Sequence, residues 1–139
     1  MAKSFGTFEH TADIGLRARA DSLAELLEAL AEALAEFICP AGRVAQRAVR
    51  TMSAASQDVE GLAVDFLGQV LNVIQTERFM VGRVAVTAAD DRSLTAELHG
   101  EPYDPARHEI HTEVKAVTYH MLEVRRHAEG WRGQVLLDL

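Results

Sequence analysis

Apolar side chains recur at intervals of three and four from Leu23 to Ile38. This spacing predicts an amphipathic helix with one apolar stripe. The glutamates of the stretch fall outside that stripe: Glu25, Glu28, Glu32 and Glu36. Ser22 and Glu25 form a capping box at its start, and Pro40 ends it. We expect the stripe to face a core rather than a partner, because one-faced helices normally pack on their own domain.

A second helix is predicted after Asp58, which is a good N-cap residue. Its apolar arc, from Leu62 to Ile74, is wider than that of the first helix, which is typical of a helix buried centrally. Asp65 lies inside this arc. The pattern leaves two interpretations of Asp65 open: a place on a narrow exposed edge, or a buried carboxylate with a partner.

Alternation of apolar and polar residues predicts strands in the rest of the chain. It runs from Ile14 to Ala20, and it flanks the turn Asp90–Asp91–Arg92, which predicts a hairpin. Val44–Met52 is a weaker candidate. Val114–Val124 is apolar on both faces, as in a central strand. A turn at Glu129–Gly130 leads into a last strand from Trp131 to Leu139.

Length and order of elements define the expected architecture. The 139 residues are 48% hydrophobic, and no repeat or linker divides them. We therefore predict an α+β fold in which two main helices pack against a mixed β-sheet, as one compact domain over residues 1–139. The formal net charge of −7 disfavours a large basic footprint, so no strong direct nucleic-acid binding is expected.

The cellular setting follows from three further features. Cys39 is the single cysteine, which excludes an internal disulfide and favours a reducing compartment. Met1–Phe8 lacks the apolar run of a secretory signal, and the four carboxylates of Leu23–Ile38 are incompatible with a membrane span. We expect a soluble cytoplasmic protein with no membrane partner.

Candidate metal chemistry lies near both ends of the chain. Asp13, before an alternating strand, is either a turn cap or a hard-oxygen metal ligand. The Asp138 side chain and the Leu139 α-carboxylate become neighbouring anions if the last strand stays ordered, and such a pair needs a cation. Calcium, magnesium and manganese suit oxygen ligands, and Asp13 would complete the site. The alternative is a frayed, solvated tail.

Lys115 lies in an otherwise apolar stretch, where a lysine needs a partner or a route to water. Three carboxylates are candidate partners for an ion pair: Glu113, Glu123 and Asp65. The functional alternative is contact with a phosphate or with a partner's acidic residue. Composition and spacing do not decide between these interpretations.

The histidines and the cysteine give weaker indications. His108 and His111 are one residue too close for the zinc-protease motif. His10 and His120 are better candidates for a shared polar site, although a hydrogen-bonded core histidine is the default. Cys39 has no designated base, so covalent catalysis has little support.

Four segments, taken together, resemble the archease family along essentially the whole chain. They are Phe8–Gly15 (FEHTADIG), Gly100–Asp104 with His108–Glu109, Thr112–His120 (TEVKAVTYH) and Val135–Leu139 (VLLDL). The segment Ala41–Gln57 is the least similar part.

The resemblance implies a small α+β protein that is not itself an enzyme. Archeases act as cofactors of the GTP- and manganese-dependent RNA ligase that joins 3′-phosphate or 2′,3′-cyclic-phosphate ends to 5′-hydroxyl ends, in tRNA splicing and RNA repair. They promote its guanylation and multiple turnover. The resemblance also implies a divalent cation, most often calcium, on Asp13, Asp138 and the α-carboxylate of Leu139, and a functional role for Lys115. His10 and Asp65 are expected near that site.

Two rival functions stay open. A chaperone-like modulator of a tRNA methyltransferase is also proposed within the family, and it would not need Asp13 or Asp138. A metal-dependent phosphohydrolase is chemically conceivable, but the sequence offers one metal site and no clear pair of general bases.

Overall fold

A computed structural model describes residues 3–10 and 13–139 of the chain. Seven strands and two α-helices follow one another in the predicted order. They are β1 (Ser4–His10), β2 (Asp13–Ala20), α1 (Leu23–Ile38), β3 (Ala48–Ala55), α2 (Val59–Gln75), β4 (Phe79–Ala89), β5 (Ser93–Pro102), β6 (Ala116–His127) and β7 (Gly130–Asp138). A short 3₁₀ helix, Ala41–Arg43, occupies the start of the loop before β3, so that strand begins later than its apolar pattern suggested.

Both helices begin at the predicted caps. The Ser22 hydroxyl accepts a hydrogen bond from the Glu25 amide at 3.2 Å, and Asp58 Oδ1 accepts one from the Gly61 amide at 2.7 Å. Each bond satisfies an amide of the first helical turn that has no partner within the helix. Leu26 and Leu30 of α1 and Phe66 of α2 are fully buried, which confirms that the apolar stripes face the core.

The strands form two antiparallel sheets. Sheet A has the order β1-β2-β7-β6, and sheet B has the order β3-β5-β4. Helix α1 packs on β2 of sheet A and on β4 of sheet B, and α2 packs on β6 and β3. The predicted α+β class with two packed helices is confirmed. The strands divide between two sheets, and helix α1 packs on both of them.

The stretch Val114–Val124 was expected to be a central strand, and this is wrong. Strand β6 starts at Ala116 and lies at the edge of sheet A. Its pairing with β7 is interrupted between Thr118 and Glu123, where Tyr119 and Met121 are exposed. Val114 is buried, but it precedes the strand and packs beside α2. Its apolar character reflects that contact rather than a position inside a sheet.

Two glutamates of α1 cover the β4 edge of sheet B. Glu28 accepts a hydrogen bond from the Val86 amide at 2.8 Å, and Glu32 accepts one from the Val84 amide at 3.1 Å. Lys3 lies 2.8 Å from Glu32 and neutralises part of their charge. The unpaired amides of an edge strand are thereby blocked against pairing with another chain.

Candidate metal centre and adjoining cleft

The register of sheet A brings the two ends of the chain together. His10 is opposite Asp13, Asp13 is opposite Asp138, and Asp138 is opposite Ala116. Directly opposite residues point to the same face of a sheet, with Cβ atoms about 5 Å apart. The carboxylates of Asp13 and Asp138 are therefore neighbours on one face. Thr11, Ala12 and the side chain of His10 lie outside the described residues.

The end of β7 is ordered. The strand continues to Asp138, and the side chain of Leu139 is partly buried against the core. A frayed tail, the alternative left open by the sequence, does not fit this packing. Leu139 follows Asp138 directly and therefore adjoins the same corner as Asp13 and Asp138. We call these three residues the acidic corner.

The chemistry of the acidic corner suits a hard cation. Like charges directly opposite each other in a sheet repel, and neither aspartate forms an ion pair with a described side chain. All the candidate donors are oxygen atoms, which calcium, magnesium and manganese accept. Among the described residues, no three His, Cys, Asp or Glu side chains lie together so as to hold a metal. Asp13 and Asp138 therefore supply two carboxylates, and any further donor lies outside the described His, Cys, Asp and Glu side chains.

Lys115 is held beside this corner through the backbone. Its amide donates a hydrogen bond of 2.8 Å to the carbonyl of Asp138. The backbone of the preceding residue, Val114, forms two hydrogen bonds with the side chain of Gln75, the last residue of α2. Gln75 Nε2 donates to the Val114 carbonyl at 2.7 Å, and Gln75 Oε1 accepts from the Val114 amide at 2.8 Å. One glutamine side chain thus replaces a strand partner and fixes the backbone that carries Lys115.

The side chain of Lys115 is exposed and lines a cleft of about 750 Å³. Helix α2 forms the floor, β3 contributes one wall through Arg50 and Met52, and the start of β6 contributes the other. Lys115 forms no ion pair with Glu113, Glu123 or Asp65, although all three are described. The interpretation in which Lys115 forms an ion pair with one of these carboxylates is therefore wrong. The exposed side chain is available to a group outside the domain.

Asp65 lines the same cleft as Lys115. Its side chain is exposed, and its Oδ2 accepts a hydrogen bond from Gln69 Nε2 at 3.3 Å. This position is the narrow exposed edge of α2, one of the two places that the sequence allowed.

His120 is exposed and lies in the part of β6 where pairing with β7 is interrupted. Its amide donates a hydrogen bond to Thr118 Oγ1 at 3.3 Å. It does not belong to the lining of the cleft.

A second polar cluster surrounds Glu101, and sequence reasoning missed it. Glu101 is fully buried and binds Arg107, Arg47 and the Ala45 amide. The hydrogen bond from Arg107, followed by those from Ala45, His108 and Arg47, holds the pKa of the Glu101 carboxyl well below its usual range. Glu101 therefore stays ionised and ties the loop after β5 to the loop before β3.

His108 belongs to that cluster and not to a metal site. Its Nδ1 accepts a hydrogen bond from the Asp104 amide at 2.9 Å, which leaves Nε2 as the protonated nitrogen facing Glu101 Oε2 at 2.9 Å. Both ring nitrogens of His108 therefore already have hydrogen-bond partners.

Cys39 is unsuited to act as a nucleophile, because its side chain is buried and burial raises the pKa of its thiol.

The fold and the corner define a small α+β domain in which β2 and β7 bring Asp13 and Asp138 directly opposite each other. The model of the archease protein family (MTH1598/TM1083) matches residues 5–139. The chain therefore belongs to the archease family. Within the described part of the chain, no helix is long and apolar enough to cross a membrane.

Relatives of similar length share this family. The chain is 34% identical to the protein archease of Methanosarcina acetivorans, over 100% of this chain and 98% of that protein. It is 35% identical to the protein archease of Pyrococcus abyssi, over 99% of each. The solution structure of Methanobacterium thermoautotrophicum protein 1598 superimposes with a TM-score of 0.80 at 31% identity, covering 97% of this chain and 98% of that one.

A second solved structure shares the fold. It is the crystal structure of an archease from Thermotoga maritima, described there as a possible chaperone. Its TM-score is 0.67 at 23% identity, and the match covers 95% of this chain and 94% of that one.

Proposed function

We propose that this protein is a non-enzymatic activator of a GTP-dependent RNA ligase of the 3′-phosphate/5′-hydroxyl type. It would act in tRNA splicing and RNA repair by promoting guanylation and turnover of the ligase. Membership of the archease family supports the proposal. The observation that carries it is the direct opposition of Asp13 and Asp138, with Lys115 bonded through its amide to the Asp138 carbonyl.

A divalent cation is part of the proposal. Asp13, Asp138 and the α-carboxylate of Leu139 would hold it, with calcium as the first candidate and manganese or magnesium as alternatives. When bound, the ion would neutralise the acidic corner and supply a Lewis acid for phosphate oxygens. The chain's own contribution is to fix the two aspartates opposite each other through the β2–β7 ladder.

Lys115 has a separate part in the proposal. Its exposed side chain lines the cleft, while its backbone is fixed by Asp138 and, through Val114, by Gln75. Because the backbone of Lys115 is fixed and its ammonium group forms no ion pair with a described residue, the side chain is suited to bind a phosphate or a carboxylate of the ligase. His10, Asp65 and His120 are secondary candidates for a functional role in ligase activation, and Asp65 would contact a cationic group of the ligase rather than a phosphate.

The test is guanylation of the cognate ligase, measured with purified D13N, D138N and K115Q variants. We expect each variant to lose most of the stimulation. D91N is the matched control for the aspartates, because Asp91 is exposed in the β4–β5 turn. R92Q, in the same turn, is the control for removing a positive charge. Both controls should stimulate as the unaltered protein does.

Two results would contradict the proposal. One is full stimulation by D13N, D138N and K115Q. The other is a protein that keeps a tRNA methyltransferase from aggregating equally well with and without both aspartates, while leaving the ligase unaffected. The second result would favour the chaperone-like role.

A further inference from the structure

Three arginines form one row across sheet A. Arg19 of β2 is directly opposite Arg132 of β7, and Arg132 is directly opposite Arg125 of β6. Residues in such a row share a face, and neighbouring strands are about 4.8 Å apart. The three Cα atoms therefore lie within about 10 Å of one another. We call this set the arginine row.

The arginine row lies on the solvent side of the sheet. In β2 the alternate residues Leu16 and Ala18 are buried in the core, so Arg19 points away from the helices. All three arginines are exposed. Arg17 lies on the same face in the next row, where it donates to Gln134 Oε1 at 3.1 Å and covers the Phe8 ring at 4.0 Å.

Folding does not account for the row. Like charges directly opposite each other destabilise a sheet. The one compensating contact is long, with 4.0 Å between Arg125 Nε and Glu123 Oε1. Among the described residues, Arg19 and Arg132 have neither an ion pair nor a side-chain hydrogen bond. A chain with a net charge of −7 thus carries, on one open face, a positive row whose one ion pair among the described residues is long, with Glu123 and Glu129 lining the depressions beside it.

The surface around the row has room for a chain-like anion. Two depressions, of about 350 and 300 Å³, adjoin each other on this side, and both are lined by Arg19 and Arg132. Neither encloses a small anion, because both are open to solvent. A ligand that binds here has to carry several negative charges and extend over several side chains.

We propose that the arginine row binds the backbone phosphates of a single-stranded nucleic acid, such as RNA, without reading its sequence. Three phosphate contacts give weak, salt-sensitive binding, which is compatible with the absence of the strong binding that a net charge of −7 disfavours. The planar guanidinium fork matches phosphate oxygens, and every RNA backbone unit carries a charge, whereas an acidic peptide must order a separate side chain for each. Binding at the row needs neither the ligase nor the acidic corner. Asp13 and Arg19 are six residues apart on β2, which is about 20 Å along the strand.

The experiment measures binding of a fluorescent twelve-nucleotide single-stranded RNA to the protein alone by anisotropy, from 50 to 200 mM NaCl. Neutralising three phosphates predicts a slope of about 2.1 in log affinity against log salt, or an ~18-fold loss over this range. R132Q should reduce the slope to about 1.4 and the loss to ~7-fold. R92Q removes the same charge away from sheet A and should leave the slope unchanged.

Three outcomes would overturn the inference. R132Q and R19Q could bind RNA with the salt dependence of the unaltered protein. Polyglutamate of equal charge could compete as well as RNA, which would assign the row to an acidic protein segment. R132Q could lower the melting temperature, which would indicate a structural role; relief of repulsion predicts an unchanged or higher value. Loss of ligase stimulation in D13N bears only on the proposed function.

Discussion

Gln75 offers a sharp test of how the site is built. Its side chain makes both hydrogen bonds that the Val114 backbone needs, at 2.7 and 2.8 Å, and Val114 is 1% exposed. Replacing Gln75 with alanine removes both at once and leaves a buried amide and a buried carbonyl without a partner.

The expected loss of stability can be worked from these two bonds. An unsatisfied buried backbone group costs about 1–3 kcal/mol. Val114 adjoins an open cleft, so water can reach part of the vacated space, and we take the low end for each group. Q75A should then lower the free energy of unfolding by about 2 kcal/mol, and the melting temperature by about 7 °C for a chain of this length.

Three measurements check this prediction. Calorimetry gives the melting temperature, hydrogen exchange reports on the Val114 and Lys115 amides, and guanylation of the ligase reports on the site. We expect faster exchange at both amides and reduced stimulation, because the backbone that carries Lys115 is released. Q57A is the control, since Gln57 is exposed before α2. A melting temperature within 2 °C of the unaltered protein, with normal exchange at Val114, would refute the reasoning.

Two further predictions concern the supporting structure. The folded-state pKa of Glu101 lies below its ordinary value of 4.5, so its contribution to stability is present above that pH and is lost as the pH falls further. The difference in melting temperature between E101Q and the unaltered protein should therefore be large at pH 7 and shrink steadily below pH 4.5; a pH-independent difference would be inconsistent with this cause. A Cβ on Gly100 would lie 1.8 Å from the Met80 carbonyl oxygen, which belongs to the backbone. G100A should cost more than about 3 kcal/mol by urea unfolding, and a near-neutral value would contradict the tight β4–β5 pairing.

Local patterns predicted the helices and the hairpin well, because their determinants lie within a few residues. The capping box at Ser22 and the N-cap at Asp58 both form, and Asp90 closes the predicted turn by accepting from the Ser93 amide at 2.9 Å. Periodicity alone also showed which face of α1 is buried.

The division into two sheets could not be predicted in this way. Strand partners are set by contacts far apart in sequence, and an apolar stretch such as Val114–Val124 has the same pattern beside a helix as inside a sheet. Gln75 illustrates the same difficulty, since a glutamine at a helix end carries no signal for a loop that lies 39 residues away.

The acidic corner was predicted in part. The sequence indicated that Asp13 and Asp138 could meet, and the register places them opposite each other. The partner of Lys115 was left open, and the backbone bond to Asp138 became visible only in the fold. The Glu101 cluster was missed because Arg47 and Arg107 approach it from separate loops.

Cation binding by the acidic corner is the central claim, and titration calorimetry with Ca²⁺ and Mn²⁺ tests it most directly. The unaltered protein and D91N should bind one ion per chain, whereas D13N, D138N and a chain extended beyond Leu139 should bind at least tenfold more weakly. Equal binding by all five proteins, or none by the unaltered protein, would contradict the claim that the two ends of the chain hold a cation together.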